Sequence, residues 1–225
     1  MTRWRTSKPI FLACLLAVLA PCAPACADHT EHREFAIFVD GKESGSSRMV
    51  IVQKGDGTTY MSAQVDVTFK HLVVIDYKLK LETQEWWKDN RLIGLKTLSV
   101  ENSKKTEVII AADNRQLRMR VNGRESMLNP DVWASSYWKL ADARFHNKQV
   151  PIVESDTGKE FTSELKYVGT EKVPIGKDLQ ECYRFQVTAP LGPVHLWYDK
   201  HHRLVRQEFT EQGHKTIVQL TNIRR

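Results

Sequence analysis

Beyond position 27 this chain of 225 residues has one cysteine, Cys182; the other three, Cys14, Cys22 and Cys26, all fall in the N-terminal stretch. No intramolecular disulfide can then form in residues 28–225. A domain of that length buries roughly 70% of its unfolded surface without covalent staples. Only one run is long and apolar enough to engage a membrane-insertion machinery, which excludes a multi-span membrane protein. Concentrated positive charge is also missing. Three of the 33 Lys and Arg residues, and none of the 27 Asp and Glu residues, lie in residues 1–27, so the net charge falls from +6 to +3 without them. Nucleic-acid binding needs a dense basic face to displace counterions, and no such block is present. The sequence has no Gly-x-Ser-x-Gly elbow, phosphate-binding glycine loop or dinucleotide fingerprint, and no His-Glu-x-x-His, so no cofactor and no metal is indicated. What remains, 41% hydrophobic and 27% charged residues without an internal repeat or linker, is the composition of a single globular domain.

The apolar run has the organisation of a secretory signal: Arg3, Arg5 and Lys8, then Ile10 to Ala20, then the small residues Ala25-Cys26-Ala27. Its apolar part is too short to span a bilayer as a retained anchor, which takes about 20 residues. Cleavage after Ala27 leaves residues 28–225 as a periplasmic or secreted domain with no transmembrane span. Lipidation of Cys26 is the alternative, although the branched apolar residue usual three positions before such a cysteine is absent.

Alternating apolar and polar residues, broken by Gly, Asn and Asp, fill the rest of the chain. Between Ile75 and Trp87, Ile75, Tyr77, Leu79 and Leu81 share one face of a strand, and Asp76, Lys78, Lys80 and Glu82 share the other. Turns are expected at Asp40-Gly41, Lys54 to Gly57, Lys88-Asp89-Asn90 and Asn122-Gly123, where positive φ is cheap. The alternation fails from Met127 to Phe145, and one short helical segment is expected near 131–144. Short strands every 8–12 residues indicate a mainly β fold. The expected architecture is a curved antiparallel sheet or half-barrel of about ten to twelve strands.

Continuing the alternation puts Glu85 and Trp87 on the apolar face of Tyr77, Leu79 and Leu81. A carboxylate there is costly unless paired. Either the strand end emerges from the core and Glu85 pairs with an Arg or Lys across the sheet, or Glu85 is a polar anchor inside a cavity with Trp87 as its wall. His201 and His202 lie in a hairpin turn, and neighbours on a strand point to opposite faces, so they make a poor metal site. Cys182 reads as a small hydrophobic strand residue. Trp86, Trp87, Trp133, Trp138 and Trp197 serve either core packing or the lining of an apolar pocket.

Taken in order, Phe38-Val39-Asp40-Gly41-Lys42, Glu85-Trp86-Trp87 before Arg91-Leu92, Ser136-Tyr137-Trp138, and Leu196-Trp197-Tyr198-Asp199 before Arg203-Leu204-Val205 resemble a family of exported bacterial proteins of unknown function. The likeness runs through most of residues 34–222, with His202 where a glycine would be usual. That family is in turn similar in architecture to the lipoprotein carriers LolA and LolB. The resemblance implies a concave apolar face suited to an acyl chain, with the non-strand segment as lid or plug. The expected function is non-enzymatic binding of a hydrophobic or amphipathic, lipid-like ligand in the periplasm. Its candidate site residues are Tyr77, Leu79, Leu81, Glu85, Trp87, Ser136, Tyr137, Trp138, Trp197 and Tyr198. The alternatives are an envelope protein that engages a protein partner through strand edges, and a hydrolase using Glu85 or a histidine as general base.

Overall fold

A computed structural model describes residues 28–71, 74–113 and 116–225, without the side chains of residues 70, 71 and 74–76. The proposed signal, residues 1–27, and the side chain of Ile75 lie outside the described residues. The described chain is almost entirely strand: β1 (His29–Val39), β2 (Lys42–Gln53), β3 (Thr58–His71), β4 (Val74–Lys88), β5 (Arg91–Glu101), β6 (Lys104–Asp113), β7 (Gln116–Val121) and β8 (Arg124–Leu128) come first. After an irregular stretch that holds β9 (Trp133–Ala134), β10 (Gln149–Val153) and β11 (Glu160–Glu164), there follow β12 (Lys166–Ile175), β13 (Asp178–Ala189), β14 (Gly192–Tyr198), β15 (Leu204–Glu211) and β16 (His214–Arg224). No helix among the described residues is long and apolar enough to cross a membrane.

Thirteen strands form one antiparallel sheet in the order β12-β13-β14-β15-β16-β1-β2-β3-β4-β5-β6-β7-β8. Two meanders are thus zipped together where the first strand pairs with the last, Phe38 opposite Ile217. Hairpin chemistry sets this order. The loops Asp40-Gly41, Asp89-Asn90, Asn102-Ser103, Asn122-Gly123 and Gln212-Gly213 have positive φ at both residues, the twist that matches a two-residue hairpin.

The edge strands of the sheet, β8 and β12, are joined by residues 129–165, and this connection packs inside the curve. Trp133, Tyr137, Trp138, Val150, Ile152 and Leu165 from the connection form one cluster with Met61, Leu92, Leu95, Leu196 and Tyr198 from the sheet. Within it β9, β10 and β11 make a second, three-stranded sheet. The short helical segment expected near 131–144 comes down to one 3-10 turn, Ala143–Phe145, capped by the Asp142 carboxylate. Upstream of it the aromatic side chains are drawn to several parts of the concave wall at once, and Tyr137 takes φ 49 to reach its place. Gly158 closes the connection against the far wall: a Cβ there would stand 2.4 Å from Val121 Cγ2.

A polar stripe crosses the interior. Inward positions of β1 carry Glu31 and Arg33 beside Phe35, Ile37 and Val39, and Thr83 and Thr97 of β4 and β5 share a hydrogen bond of 2.7 Å. A polar group taken out of water needs a partner of this kind.

Candidate functional site

Strand β4 sets the site. Its inward side chains run Tyr77, Leu79, Leu81, Thr83, Glu85, Trp87, and the first three are half-buried while the last three are buried. Glu85 is fully enclosed, opposite Met61 on β3 and Leu95 on β5. The strand end therefore does not emerge from the core, and among the described residues Glu85 pairs with no Arg or Lys across the sheet. Instead Glu85 Oε2 accepts hydrogen bonds from two indoles, Trp87 Nε1 at 2.7 Å and Trp138 Nε1 at 2.8 Å. The rings meet edge to face, 6.5 Å apart at 78°, an arrangement their quadrupoles favour. Burial pushes the Glu85 carboxyl above the usual carboxylate range; the Ser136 hydroxyl, the two indoles and the charge of Lys139 oppose that shift. Glu85 Oε1 and Ser136 Oγ are buried without a well-formed hydrogen bond.

Lys139, which the sequence reading passed over, completes the cluster. Its Nζ lies 4.6 Å from the centre of the Trp87 ring and 5.6 Å from that of Trp138, close enough for cation–π attraction. One hydrogen bond, 3.1 Å to Asn90 Oδ1, holds it. Burial pulls its ammonium down to about 8, against the charges of Glu85 and Asp142. The available signal was its place next to Trp138 in a stretch without regular periodicity.

A second set of charges grips the backbone of the same segment. Arg33 Nη1 donates to Trp138 O at 2.7 Å, and Arg33 Nε donates to Glu31 Oε1 at 2.7 Å. Glu31 also accepts from Arg203 and Arg225, each at 3.1 Å, while Asp199 holds Arg203 at 2.6 Å. Burial would raise the Glu31 carboxyl, but Arg33, Arg225 and Arg203 outweigh it and hold it down to about 2. Tyr198 Oη donates to Tyr137 O at 3.0 Å, and Leu204 N donates to Trp138 O at 3.2 Å. Trp138 is thus fixed by its indole N–H, its carbonyl and both neighbouring cations.

Six of the ten sequence-selected residues converge here: Glu85, Trp87, Ser136, Tyr137, Trp138 and Tyr198. Tyr77, Leu79 and Leu81 share the face but sit toward the other end of β4. There burial and the charges of Glu101, Glu211 and Asp156 raise the Tyr77 hydroxyl. Trp197 stands apart, because alternation along β14 sends it to the face opposite Tyr198. It lies between the guanidinium groups of Arg184 and Arg206, 5.0 Å and 5.6 Å from its ring, with its indole N–H on Glu171 at 2.9 Å. Cys182 is buried, and burial pushes its thiol up to about 11, so it stays protonated at neutral pH. Among the described residues no three His, Cys, Asp or Glu side chains are placed to hold a metal ion.

The interior around the cluster is filled. A cleft of about 10 Å³ adjoins it, walled by Trp87, Asn90, Arg91, Trp133, Lys139 and Arg144; that is room for about one water. A wider hollow of about 340 Å³ opens elsewhere, between Gln149, Thr162, Glu164, Lys166, Gln186 and Thr188, and its wall is polar. Pockets for drug-sized ligands run to about 300–1,000 Å³ and are mostly apolar. Residues 129–165 cover the apolar side chains of the concave face.

Residues 35–221 match the family model of a domain of unknown function, DUF6134. The chain belongs to this family. No curated protein is similar enough to count as a relative. Among solved structures, the DUF6134 chain is similar to a β-barrel-like protein of another domain of unknown function, DUF1849, from Brucella abortus. The two share 7% identity at a TM-score of 0.60, over 87% of this chain and 97% of that one. That likeness shows a shared barrel-like β fold. LprF from Mycobacterium bovis also matches, with 11% identity over 86% of this chain and 85% of that one, but its TM-score of 0.30 is too low to bear on fold or function.

Proposed function

We propose that this DUF6134 protein is an exported, non-enzymatic protein of the bacterial envelope that holds a hydrophobic or amphipathic, lipid-like ligand against the concave face of its sheet, with residues 129–165 as the displaceable cover. One observation carries the reading: the concave apolar face is covered by a separate connection, joined to the thirteen-stranded sheet by side-chain packing and a few polar grips and not by a continuous ladder. Sheet ladders are cooperative and local openings follow the weaker contacts, so this connection is the part that can leave. The polar grips contribute geometry more than net stability, since buried charges are expensive to desolvate. The architecture of the lipoprotein carriers, which the family resembles in fold and not in sequence signature, points the same way by analogy. Glu85 serves as an anchor for the cover, because its carboxyl is shut off from solvent and one oxygen is already taken by two indoles.

Native mass spectrometry of protein purified from its own envelope tests the reading: co-purifying lipid is expected, together with saturable binding of a fluorescent acyl probe. Reproducible absence of both overturns it.

A second reading has its own support. Strand β8 exposes four of its five residues, and Met127 there is 49% exposed; at the other edge Tyr167 and Val168 of β12 are 41% and 44% exposed. Such edges can accept a strand from a partner protein. A stoichiometric partner recovered from a crosslinked envelope without bound lipid, and lost on Met127→Asp or Val168→Asp, favours this alternative.

A further inference from the structure

Edge strand β12 folds back across the face of the sheet that carries Trp197. Gln219 Nε2 of β16, four places from β12 in the sheet, still donates to Pro174 O at 2.9 Å. Val173 of β12 is buried, as are Cys182 and Trp197 on the same face. Two side-chain bonds seat the strand there. Glu171 Oε1 accepts from Arg184 Nη1 at 2.7 Å, and Glu171 Oε2 accepts from the Trp197 indole at 2.9 Å. The other terminal nitrogen of the same guanidinium, Arg184 Nη2, lies 3.2 Å from His195 Nδ1. A guanidinium can only donate. His195 is therefore a neutral imidazole with its proton on Nε2, and a proton arriving on Nδ1 breaks the bond to Arg184.

We infer that His195 is a proton-operated latch: neutral, it steadies Arg184 and so seats β12; protonated, it lets Arg184 go and the strand loosens. The charged groups on its face of the sheet are Lys166 and Glu171 of β12, Arg184 of β13, Arg206 and Glu208 of β15, and Lys215 of β16. Glu208 stands opposite His195 but is already held by Arg206 Nε at 2.8 Å and Lys215 Nζ at 2.9 Å. A proton on His195 thus sets a second cation beside Arg184, and the two compete for Glu171. Burial and the charge of Arg184 hold the imidazole below its ordinary 6.5; Lys215 adds to that, and Glu208 and Glu171 oppose it. The released imidazole takes up its proton more readily than the latched one, so the seating is complete above pH 6.5 and is lost as pH falls through the latched value. Imidazoles change charge between about pH 5 and pH 8, the range in which such a latch is useful. Each pKa unit of depression corresponds to about tenfold weaker seating in the protonated state. The latch stands apart from the concave face and needs no ligand there.

A pH titration of the protein followed by nitrogen-15 NMR of the His195 ring and the Trp197 indole, with hydrogen exchange at the two ends of the titration, tests the latch. The neutral ring should carry its proton on Nε2 and titrate below pH 6.5. The Trp197 indole N–H signal should move with the same midpoint. Protection of the β12 amides that pair with β13 should fall by about tenfold for each pKa unit of depression, while the pairing of β1 with β16 keeps its protection. His195→Asn offers Arg184 an acceptor that does not titrate and should remove the pH response of both reporters. Arg184→Gln should bring the His195 midpoint up toward 6.5, a readout that holds if the asparagine variant folds poorly. Five results each overturn the latch: a midpoint at or above 6.5, a neutral ring with its proton on Nδ1, a Trp197 signal and β12 protection that ignore the His195 titration, a pH response that survives His195→Asn, or a midpoint unmoved by Arg184→Gln.

Discussion

Removing the carboxyl of Glu85 tests whether this side chain holds the cover onto the sheet. Glu85→Ala leaves two buried indole N–H groups, on Trp87 and Trp138, without an acceptor. Each orphaned donor costs about 1–3 kcal/mol. The void left by the side chain adds about 1 kcal/mol. Loss of Oε1, itself buried without a partner, returns about 1–3 kcal/mol. A net destabilisation of about 3 kcal/mol is expected. Glu85→Gln keeps an oxygen that both indoles can share and should stay within about 1 kcal/mol of the natural protein. The two variants also differ in their response to pH. Because burial raises the Glu85 carboxyl in the folded protein, the folded state binds more protons than the unfolded state above the usual carboxylate range. Glu85 therefore lowers stability as pH rises from about 4.5. The glutamine variant lacks that slope and should gain on the natural protein between pH 4.5 and pH 8. Urea unfolding followed by tryptophan fluorescence at both pH values measures these differences. An alanine variant within 1 kcal/mol of the natural protein, or a glutamine variant as damaged as the alanine one at both pH values, would refute the anchoring role.

Three further outcomes follow from the grips and turns. Glu31, held down to about 2, contributes at most about 3 kcal/mol, fully present above pH 4.5 and lost as pH falls toward 2; burial of Arg33 works against the pair, so the observed figure should be smaller. An acid titration followed by circular dichroism should show this loss, and Glu31→Gln should remove it. Gly158 has φ 72 and packs against Val121 and Met119, so Gly158→Ala should cost about 1–3 kcal/mol in strain and overpacking, read by urea denaturation. His202 has φ 58, a conformation that costs a side-chain-bearing residue about 1–2 kcal/mol, so His202→Gly should raise the calorimetric midpoint.

Fold class was legible because a strand with one buried face writes its geometry into the sequence. Tyr77, Leu79, Leu81, Glu85 and Trp87 do alternate on one face, and the loops at Asp40-Gly41, Asp89-Asn90 and Asn122-Gly123 fall where turn chemistry puts them. Strand β3 carried an equally clear alternation, Met61, Ala63, Val65, Val67 and Phe69, that the reading passed over. The edge strands were hard to see for a physical reason. β8 and most of β12 have no buried face, so their residues show no period.

Irregular structure accounts for most of what was missed at the site. Along β4 the position of Glu85 follows from alternation, but its partners come from residues 136–139, whose placement depends on contacts made from several walls at once. Pairing with Arg or Lys was the reasonable expectation for a buried carboxylate; two indole N–H groups substitute for it, and no local pattern encodes that. Trp197 and Tyr198 are neighbours on β14, and alternation sends their side chains to opposite faces. Lys139 became visible only when the two tryptophans on either side of it were brought together.

Hydrogen exchange with and without bound decanoate tests the central claim most directly. Leu140 N donates to His202 O and Leu204 N to Trp138 O, joining the cover to the rest of the chain, so the protection of these two amides reports whether the cover is seated. If a lipid-like ligand occupies the concave face, protection of these amides should fall on binding while β13 and β14 keep theirs. Decanoate that binds with both amides unchanged would contradict displacement of the cover.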